Sequence, residues 1–545
     1  MLRRHATDIL FVVFLLIVSA VIQHGRTGSS VNGVDLTTDP AMYAAMAAAL
    51  DHPEAFARDD NFSDPALFDA HATIHMPLIR RLAHGADYGL AYLKLTGVHV
   101  FLHYLCFYLL GLTLLKKRRQ AMLFTLLMGQ VYWIPWGTYW GNGYPDYTPR
   151  STFSALYAVY ICVALAVLNR PRWWPLFMAA TGLLVYVHSV SALPVALGFW
   201  LGFALRRPPD TSRTRHAAWL VFCGLCFVAV MTPFALNYLK PGIPLTAADV
   251  DTLREALRAR FDPEFSDYWQ GMGRYLLHLI LIPLFPLALA AAWLIHRRGN
   301  EEERTLLGQI GMWTLGVLGV VGLFVLDQEI ARLLHRHHFE FDLIRVLRFP
   351  LFFAMCLIFL GLNVLLRNVP AHNAKALWGA RLLWAAVFAG LFFGGQNDMA
   401  RRSLAWYWNS LDPARHAAAY GPQISRADMI EALKTHTEPG ALIFYPREDQ
   451  AIRYNALRSL TYGWKDACLF YYAKAVDKLR RWNDIRCRLE ESPTAYIGLA
   501  RRSDADYLLS DRPQDLPLLR QFGTVIWSND RYVLVKRGDA APVAP

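Results

Sequence analysis

The chain has 545 residues, of which 55% are hydrophobic and 18% charged, and it carries a formal charge of +12. That composition excludes a wholly soluble protein, which at this length needs far more charge to cover its surface. It also removes nucleic acid as the first explanation of the positive charge, because Lys and Arg collect in the cytoplasmic loops of polytopic membrane proteins.

Arg3 and Arg4 precede an apolar centre at Leu10–Ile22 with no small-residue cleavage site behind it, which predicts a retained anchor. The stretch Asp35–Asp60, DLTTDPAMYAAMAAALDHPEAFARDD, then sets five aspartates and one glutamate around an alanine-rich run. Asp39 stands before Pro40 and a helix-prone segment, so it suits a helix N-terminus. Asp35 has no such local role. Asp59 and Asp60, in FARDDNFSDP, read as a solvated turn; two adjacent acids are weak grounds for a cation site. In HATIHMPLIRR, His71, His75 and Arg80 share one face if a helix runs through Pro77.

A second apolar run, 90–115, ends in KKRR at Lys116–Arg119, and a third, 121–136, leads into QVYWIPWGTYWGNGYPDYTPR at Gln130–Arg150. An interfacial aromatic belt accounts for part of that density. The rest reads as a pocket wall, with Trp140 for stacking on a sugar ring and Asp146 and Arg150 for hydroxyls or phosphate. Run 151–168 follows, then two short ones, 174–188 and 190–205, which meet at VYVHSVSALP around His188, Ser189 and Ser191. Broken helices at membrane depth survive only where protein buries them or they line a cavity. Run 217–239 holds Cys223 and Cys226, too few ligands for a closed zinc site. Runs 275–294, 306–326, 343–366 and 377–393 complete the set.

Ahead of 343–366 lies DQEIARLLHRHHFEFDLIRVLRF. Arg345 and Arg348 sit a helical turn apart where that run enters the membrane, a costly place unless they face an anion, an acid or the headgroups. Snorkelling to the headgroups is the plain reading and a lipid phosphate the functional one. His335, His337 and His338 suggest a metal, but no cysteine or fixed acid completes the set. HExxH, GxSxG, P-loop and GxGxxG motifs are absent from the sequence.

Alternation of about eleven spans puts KKRR, NRPR, RRPPDTSRTR, HRR and Arg367 on one side, the cytoplasmic one. The loop 25–88, the loops 137–150 and 240–273, the segment 327–342 and the C-terminal region fall outside a bacterial inner membrane, N-terminus in. One span in place of two at 174–205 would invert everything downstream. The expected layout is a membrane domain over 1–398, a linker at 399–420 and a soluble α/β domain over 421–545. In that domain DMIEALKTHTEP and ACLFYYAKAVDKLRRWNDIRCRLEE read as helices, while GALIFYP, TAYIGLA, DYLLSD, GTVIWS and DRYVLVKR read as strands. Cys468 and Cys487 are either a disulfide or buried thiols. Arg453, Tyr462, Trp464, Lys465 and Asp466 form a polar-aromatic group that either meets an acceptor or packs the domain.

One span, an outward loop opening on acids and short helices, many spans and an outward α/β domain together resemble the GT-C superfamily of polyprenyl-phosphate-dependent membrane glycosyltransferases. The pieces that carry the likeness are Asp35, Asp39 and Tyr43 in DLTTDPAMYAAM, and IRYNALRSLTYGWKDACLFY with ADYLLSD…YVLVKR. The resemblance implies a GT-C-like polytopic all-α fold and transfer of a sugar from a polyprenyl-phosphate donor to a lipid, glycan or protein acceptor. Asp35 or Asp39 then serves as base, and Arg80, Arg345 and Arg348 hold lipid phosphate. Tyr43, His75, Trp140, Asp146, Arg150, Trp464 and Lys465 shape the pocket. No cofactor is assigned, and a divalent cation stays open. The partners are the lipid-linked sugar and the bilayer, with no nucleic acid. The alternatives are a transporter or flippase of a lipid-linked or polar solute and a non-catalytic assembly protein.

Overall fold

Hydropathy and helix length define the larger part of the chain. The computed structural model describes residues 2–36, 38–71, 73–130, 147–238, 245–260, 284–336, 342–370, 372–394, 398–447, 449–492 and 494–538, with the single positions 269, 273 and 277. Among these, seven helices are long and apolar enough to cross a bilayer: Ala6–Ser29, Tyr88–Leu115, Pro149–Val167, Arg213–Tyr238, Glu301–Leu333, Arg345–Asn368 and Ala374–Gly394. Seven of the eleven runs read from hydropathy are thus helices of crossing length, and the other four are shorter among the described residues. Run 121–136 has a helix only over Arg118–Met128 before leaving the described residues, and 174–188 is a nine-residue helix, Trp174–Gly182, running into a 3-10 turn. Run 190–205 is the shorter apolar helix Ser189–Leu205, and 275–294 is described from Leu284 onward as Leu284–Arg298.

The chain forms two compact units, Met1–Ser19 with Val98–Leu239 and Phe261–Asp398, and Ala20–Gly97 with Lys240–Arg260 and Met399–Pro545. In the first, Arg345–Asn368 is the central helix, 83% of its apolar window being buried, whereas Arg213–Tyr238 and Ala374–Gly394 bury only 11% of theirs and present apolar side chains outward. Helix–helix contact uses small residues, as packing within lipid favours. A Cβ on Gly316 would stand 2.4 Å from the Gly198 backbone, and Gln309 donates to the Gly202 carbonyl at 3.0 Å. Around these, Trp174 stacks on Phe203 at 4.7 Å, and Tyr157 meets Phe199, Phe349 and Phe352.

Charges gather at one end of this bundle. Lys116 pairs with Glu302 at 3.1 Å, Arg367 binds Glu303 through two bonds of 2.7 Å, and Asp8 takes Arg118 at 3.0 Å. Three of the segments that alternation placed on one face thus meet. Arg348 opens the 21-residue helix that Arg367 closes, so it stands at the opposite end, roughly 30 Å away at 1.5 Å per residue.

The second unit holds a five-stranded sheet: β1 (Leu442–Phe444), β2 (Ser459–Leu460), β3 (Tyr507–Ser510), β4 (Gly523–Ser528) and β5 (Val533–Arg537). The order is β2-β1-β3-β5-β4, with β1 parallel to β2 and β3, and β5 antiparallel to β3 and β4. TAYIGLA, expected as a strand, is the helix Tyr496–Arg502. Its buried positions, Tyr496, Ile497, Leu499 and Ala500, follow the spacing of one helix face, which a short apolar run disguises. The expected linker is helical, in Asp398–Ser410 and Pro413–His436. Cys468 and Cys487 are free thiols.

The loop 25–88 belongs to this same unit. Its alanine-rich run is the helix Thr38–Asp51, and Ala41, Ala44, Ala45, Ala47, Ala48 and Ala49 are all buried, because small side chains let other backbone approach from every side. Tyr454 donates its hydroxyl toward the carbonyls of Gly33 and Val34, and Ser459 bonds the Ala55 carbonyl. Gly33 turns the chain with φ +74, and a Cβ there would meet the Gly89 backbone at 2.6 Å.

Candidate functional site

Each aspartate of the acidic stretch faces a base in the second unit. Asp35 accepts from Arg26 Nη1 at 2.9 Å and from the Ser30 hydroxyl, so both of its oxygens are engaged. Asp39 pairs with Lys465, Asp51 takes Arg80 Nε at 2.6 Å and the Tyr88 hydroxyl at 2.8 Å, and Asp60 takes Arg481 at 2.7 Å. Asp59 is fully buried against Arg453, which corrects its reading as a solvated turn. Asp59 and Asp60 engage different arginines, Arg453 and Arg481. Arg80, a candidate phosphate ligand in the sequence, stands here as the partner of Asp51.

Arg453 is the hub of the unit. Its Nε and Nη2 donate to Asp59 at 2.8 and 3.1 Å, and Nη1 and Nη2 to Asp466 at 2.8 and 2.9 Å. Nη1 also reaches Gln450 at 3.0 Å, while the guanidinium lies 4.2 Å over the Phe62 ring. Asp59 in turn accepts backbone N–H groups from Asn61, Phe62 and Leu460, the last in β2. Burial works against the guanidinium's charge, but the carboxylates of Asp466 and Asp59 outweigh it and hold its pKa above the ordinary range. Asp466 is pushed upward by burial, against the pull of Arg453. Such a network ties the loop to the sheet and has the character of a structural joint.

The residues around Asp39 have another character. Asp39 lies in the first turn of Thr38–Asp51 with its side chain 35% exposed, and Tyr43 follows one turn later on the same face. The His71 ring stands 6.3 Å from Tyr43 and 5.4 Å from Tyr472, and its buried Nε2 has no hydrogen-bond partner among the described residues. Burial lowers the His71 pKa to about 4, with Asp39 raising it and Lys465 lowering it further. The imidazole is therefore neutral near pH 7, beside a carboxylate and an ammonium. His75 is buried with Nδ1 3.0 Å from the Thr73 hydroxyl, and it opens a new helix, His75–Ala83. His71 instead ends the preceding 3-10 turn, so the single helix face expected for His71, His75 and Arg80 does not form. Trp464 packs toward Trp482, ring centres 5.4 Å apart.

A pH dependence follows from His71. An unfolded histidine titrates near 6.5 and the native one near 4, so between those values the unfolded chain binds a proton that the native state refuses. This contribution is complete above pH 6.5 and is lost as the pH falls toward 4. Thermal midpoints measured from pH 7.5 to 4 are expected to fall less steeply for His71→Gln than for wild type; parallel curves would contradict a buried neutral imidazole.

In the first unit a cationic group gathers where helices begin. Arg348, 3% exposed, donates to the Ser191 hydroxyl and, at 3.2 Å, to the Arg345 carbonyl, and its guanidinium lies 4.8 Å over Phe349. Ser191 also bonds His188 Nδ1 at 2.8 Å. Arg150 is buried at the start of Pro149–Val167, behind the Thr148 capping box. One turn on, the Phe153 ring is 6.3 Å from His188 and 6.1 Å from Phe349. Arg345 lies in the 3-10 turn Asp342–Leu347. The break at VYVHSVSALP thus supplies polar contacts to a buried arginine. Ser191 was legible only as a residue of that break, since its partner lies 157 positions away.

Trp140, Asp146, His337 and His338 lie outside the described residues. Among the described residues no group of three or more His, Cys, Asp or Glu converges to hold a metal ion. Arg26, the partner of Asp35, carried no signal in the sequence, because it fell in the loop 25–88, whereas the fold places it in the last turn of the helix Leu2–Ser29.

No family model and no curated protein matches the chain. Solved structures similar to it include ArnT from Cupriavidus metallidurans in the apo state, at 12% identity over 98% of both chains and TM-score 0.44, and the Archaeoglobus fulgidus oligosaccharyltransferase with zinc and sulfate, at 13% identity over 97% of this chain and 73% of that one, TM-score 0.48. Likeness at this level decides no chemistry, which here belongs to the chain's own side chains.

Proposed function

We propose that the protein transfers a sugar from a polyprenyl-phosphate donor to a hydroxyl acceptor at the outer face of a bacterial inner membrane. The acceptor oxygen attacks the anomeric carbon, the bond from that carbon to the phosphate oxygen breaks, and the hydroxyl proton passes to the Asp39 carboxylate. Polyprenyl phosphate leaves as the free lipid phosphate; within the first unit, Arg345 and Arg348 occupy a protein-lined helix junction of the kind where cations stabilise an anion, and we assign them to lipid phosphate. The observation that carries the reading is the contrast between the two candidate acids. Asp35 has both oxygens engaged by Arg26 and Ser30, whereas Asp39 is partly exposed beside Lys465, a neutral His71 and Tyr43. A carboxylate paired with a lysine and bordered by aromatic rings suits an acceptor hydroxyl on a sugar.

The test is a transfer assay on the purified chain in proteoliposomes, with short-chain polyprenyl-phosphate sugars as donors and an alkyl glycoside as acceptor. Product is expected, and Arg348→Gln is expected to lower kcat/KM by about 100-fold, the loss expected for a direct electrostatic contact to the leaving group. Turnover unchanged in Arg348→Gln would remove the arginine from the phosphate site, and no product from any donor would refute the transfer reading.

A further inference from the structure

A cavity of about 210 Å³ in the second unit, whose lining includes none of Asp39, Tyr43, His71 and Lys465, lies between Asp60, the residues Thr461 and Tyr462 that follow β2, and the helix Val476–Glu491. We propose that it is a subsite for one neutral sugar ring, belonging to the acceptor or its glycan. Its use in catalysis rests on the transfer reading; its binding does not.

Four observations support this. Thr461 is 5% exposed and lines the cavity, and its buried hydroxyl has no hydrogen-bond partner among the described residues. Burying a hydroxyl unbonded is unfavourable, and a ligand group at this position would relieve it. Trp482 and Tyr462 both line the space with ring planes 19° apart, and the indole is held by its bond to the Gly463 carbonyl at 3.1 Å. Fixed aromatic surface of this kind suits the apolar face of a pyranose. The charges on the wall are balanced, with Asp60 and Asp477 against Lys478 and Arg481. A phosphate site would show an excess of cations, whereas paired donors and acceptors match vicinal hydroxyls. Finally, the volume is below the roughly 300–1,000 Å³ of drug-sized pockets, a size that suits one ring within the cavity.

Saturation-transfer NMR on the full chain in nanodiscs tests this without donor or turnover. The probes are the methyl glycosides of glucose, galactose, mannose and N-acetylglucosamine, with inorganic phosphate as competitor. At least one glycoside is expected to receive saturation, and Thr461→Val is expected to weaken its binding at least about fivefold, the loss of one hydrogen bond. The same variant should leave the thermal midpoint equal or higher, because the orphaned hydroxyl is gone. Arg481→Gln, at an exposed ion pair with Asp60, should weaken binding while leaving the fold intact. No saturation of any glycoside, saturation that survives both substitutions, or displacement by phosphate would each overturn the assignment. Because binding is read alone, a failed transfer assay beside a positive result here would refute the transfer reading and leave the subsite standing.

Discussion

Arg453→Met is expected to lower the stability of the protein by ~3–5 kcal/mol, the range for removing one partner of a buried ion pair. The substitution keeps most of the side-chain volume but leaves Asp59 and Asp466, both fully buried, facing each other without the cation between them. One carboxylate must then take up a proton or water must enter. The effect should spread beyond the pair, because Asp59 also holds the backbone of Asn61, Phe62 and Leu460. Thermal unfolding of the detergent-held chain, read beside limited proteolysis, checks this. Arg453→Met should bring early cleavage within 53–71 and 450–466, whereas a small shift with an unchanged cleavage pattern would show that packing, and not the ion network, joins these segments. Arg367→Met, at an ion pair whose arginine is 42% exposed, should cost much less.

Asp39→Asn is expected to reduce transfer by about 100- to 10,000-fold, the contribution of a positioned proton acceptor, with the thermal midpoint nearly unchanged. Its ion pair with Lys465 is partly exposed, and an asparagine keeps an oxygen for the lysine. Asp35→Asn should do the reverse. Arg26 is 2% exposed and would lose its carboxylate, so the loss falls on stability, on the order of a few kcal/mol, while turnover of the protein that folds stays near wild type. The pair of variants thus separates a reacting acid from a structural one. Equal losses of turnover with equal losses of stability would refute Asp39 as the base, and full activity in Asp39→Asn would refute it outright.

Hydropathy and charge were enough to establish a chain with many membrane helices and a C-terminal region of mixed strands and helices. Those are local properties: an apolar run of span length and a basic loop can each be read within some twenty residues. They also placed KKRR, the GNEEER segment and Arg367 on one face, and the ion pairs of Lys116 and Arg367 gather these at one end of the bundle. The break at VYVHSVSALP was legible too, and there the 3-10 turn Leu183–Tyr186 separates the helices Trp174–Gly182 and Ser189–Leu205. TAYIGLA was misread because a run of seven residues, most of them apolar, satisfies strand and helix alike.

The fate of the acidic stretch was decided by tertiary structure. Its residues were visible as acids, but the partners of Asp39, Asp59 and Asp60 are Lys465, Arg453 and Arg481, some 400 positions away, and no periodicity in either segment encodes such a pairing. The fold brings the alanine-rich helix against the C-terminal segment, and burial then assigns the roles. Where the surroundings are dry and the arginine is saturated, as at Asp59, the carboxylate holds the structure together. Where one side stays open to water, as at Asp39, the same side chain remains available for chemistry.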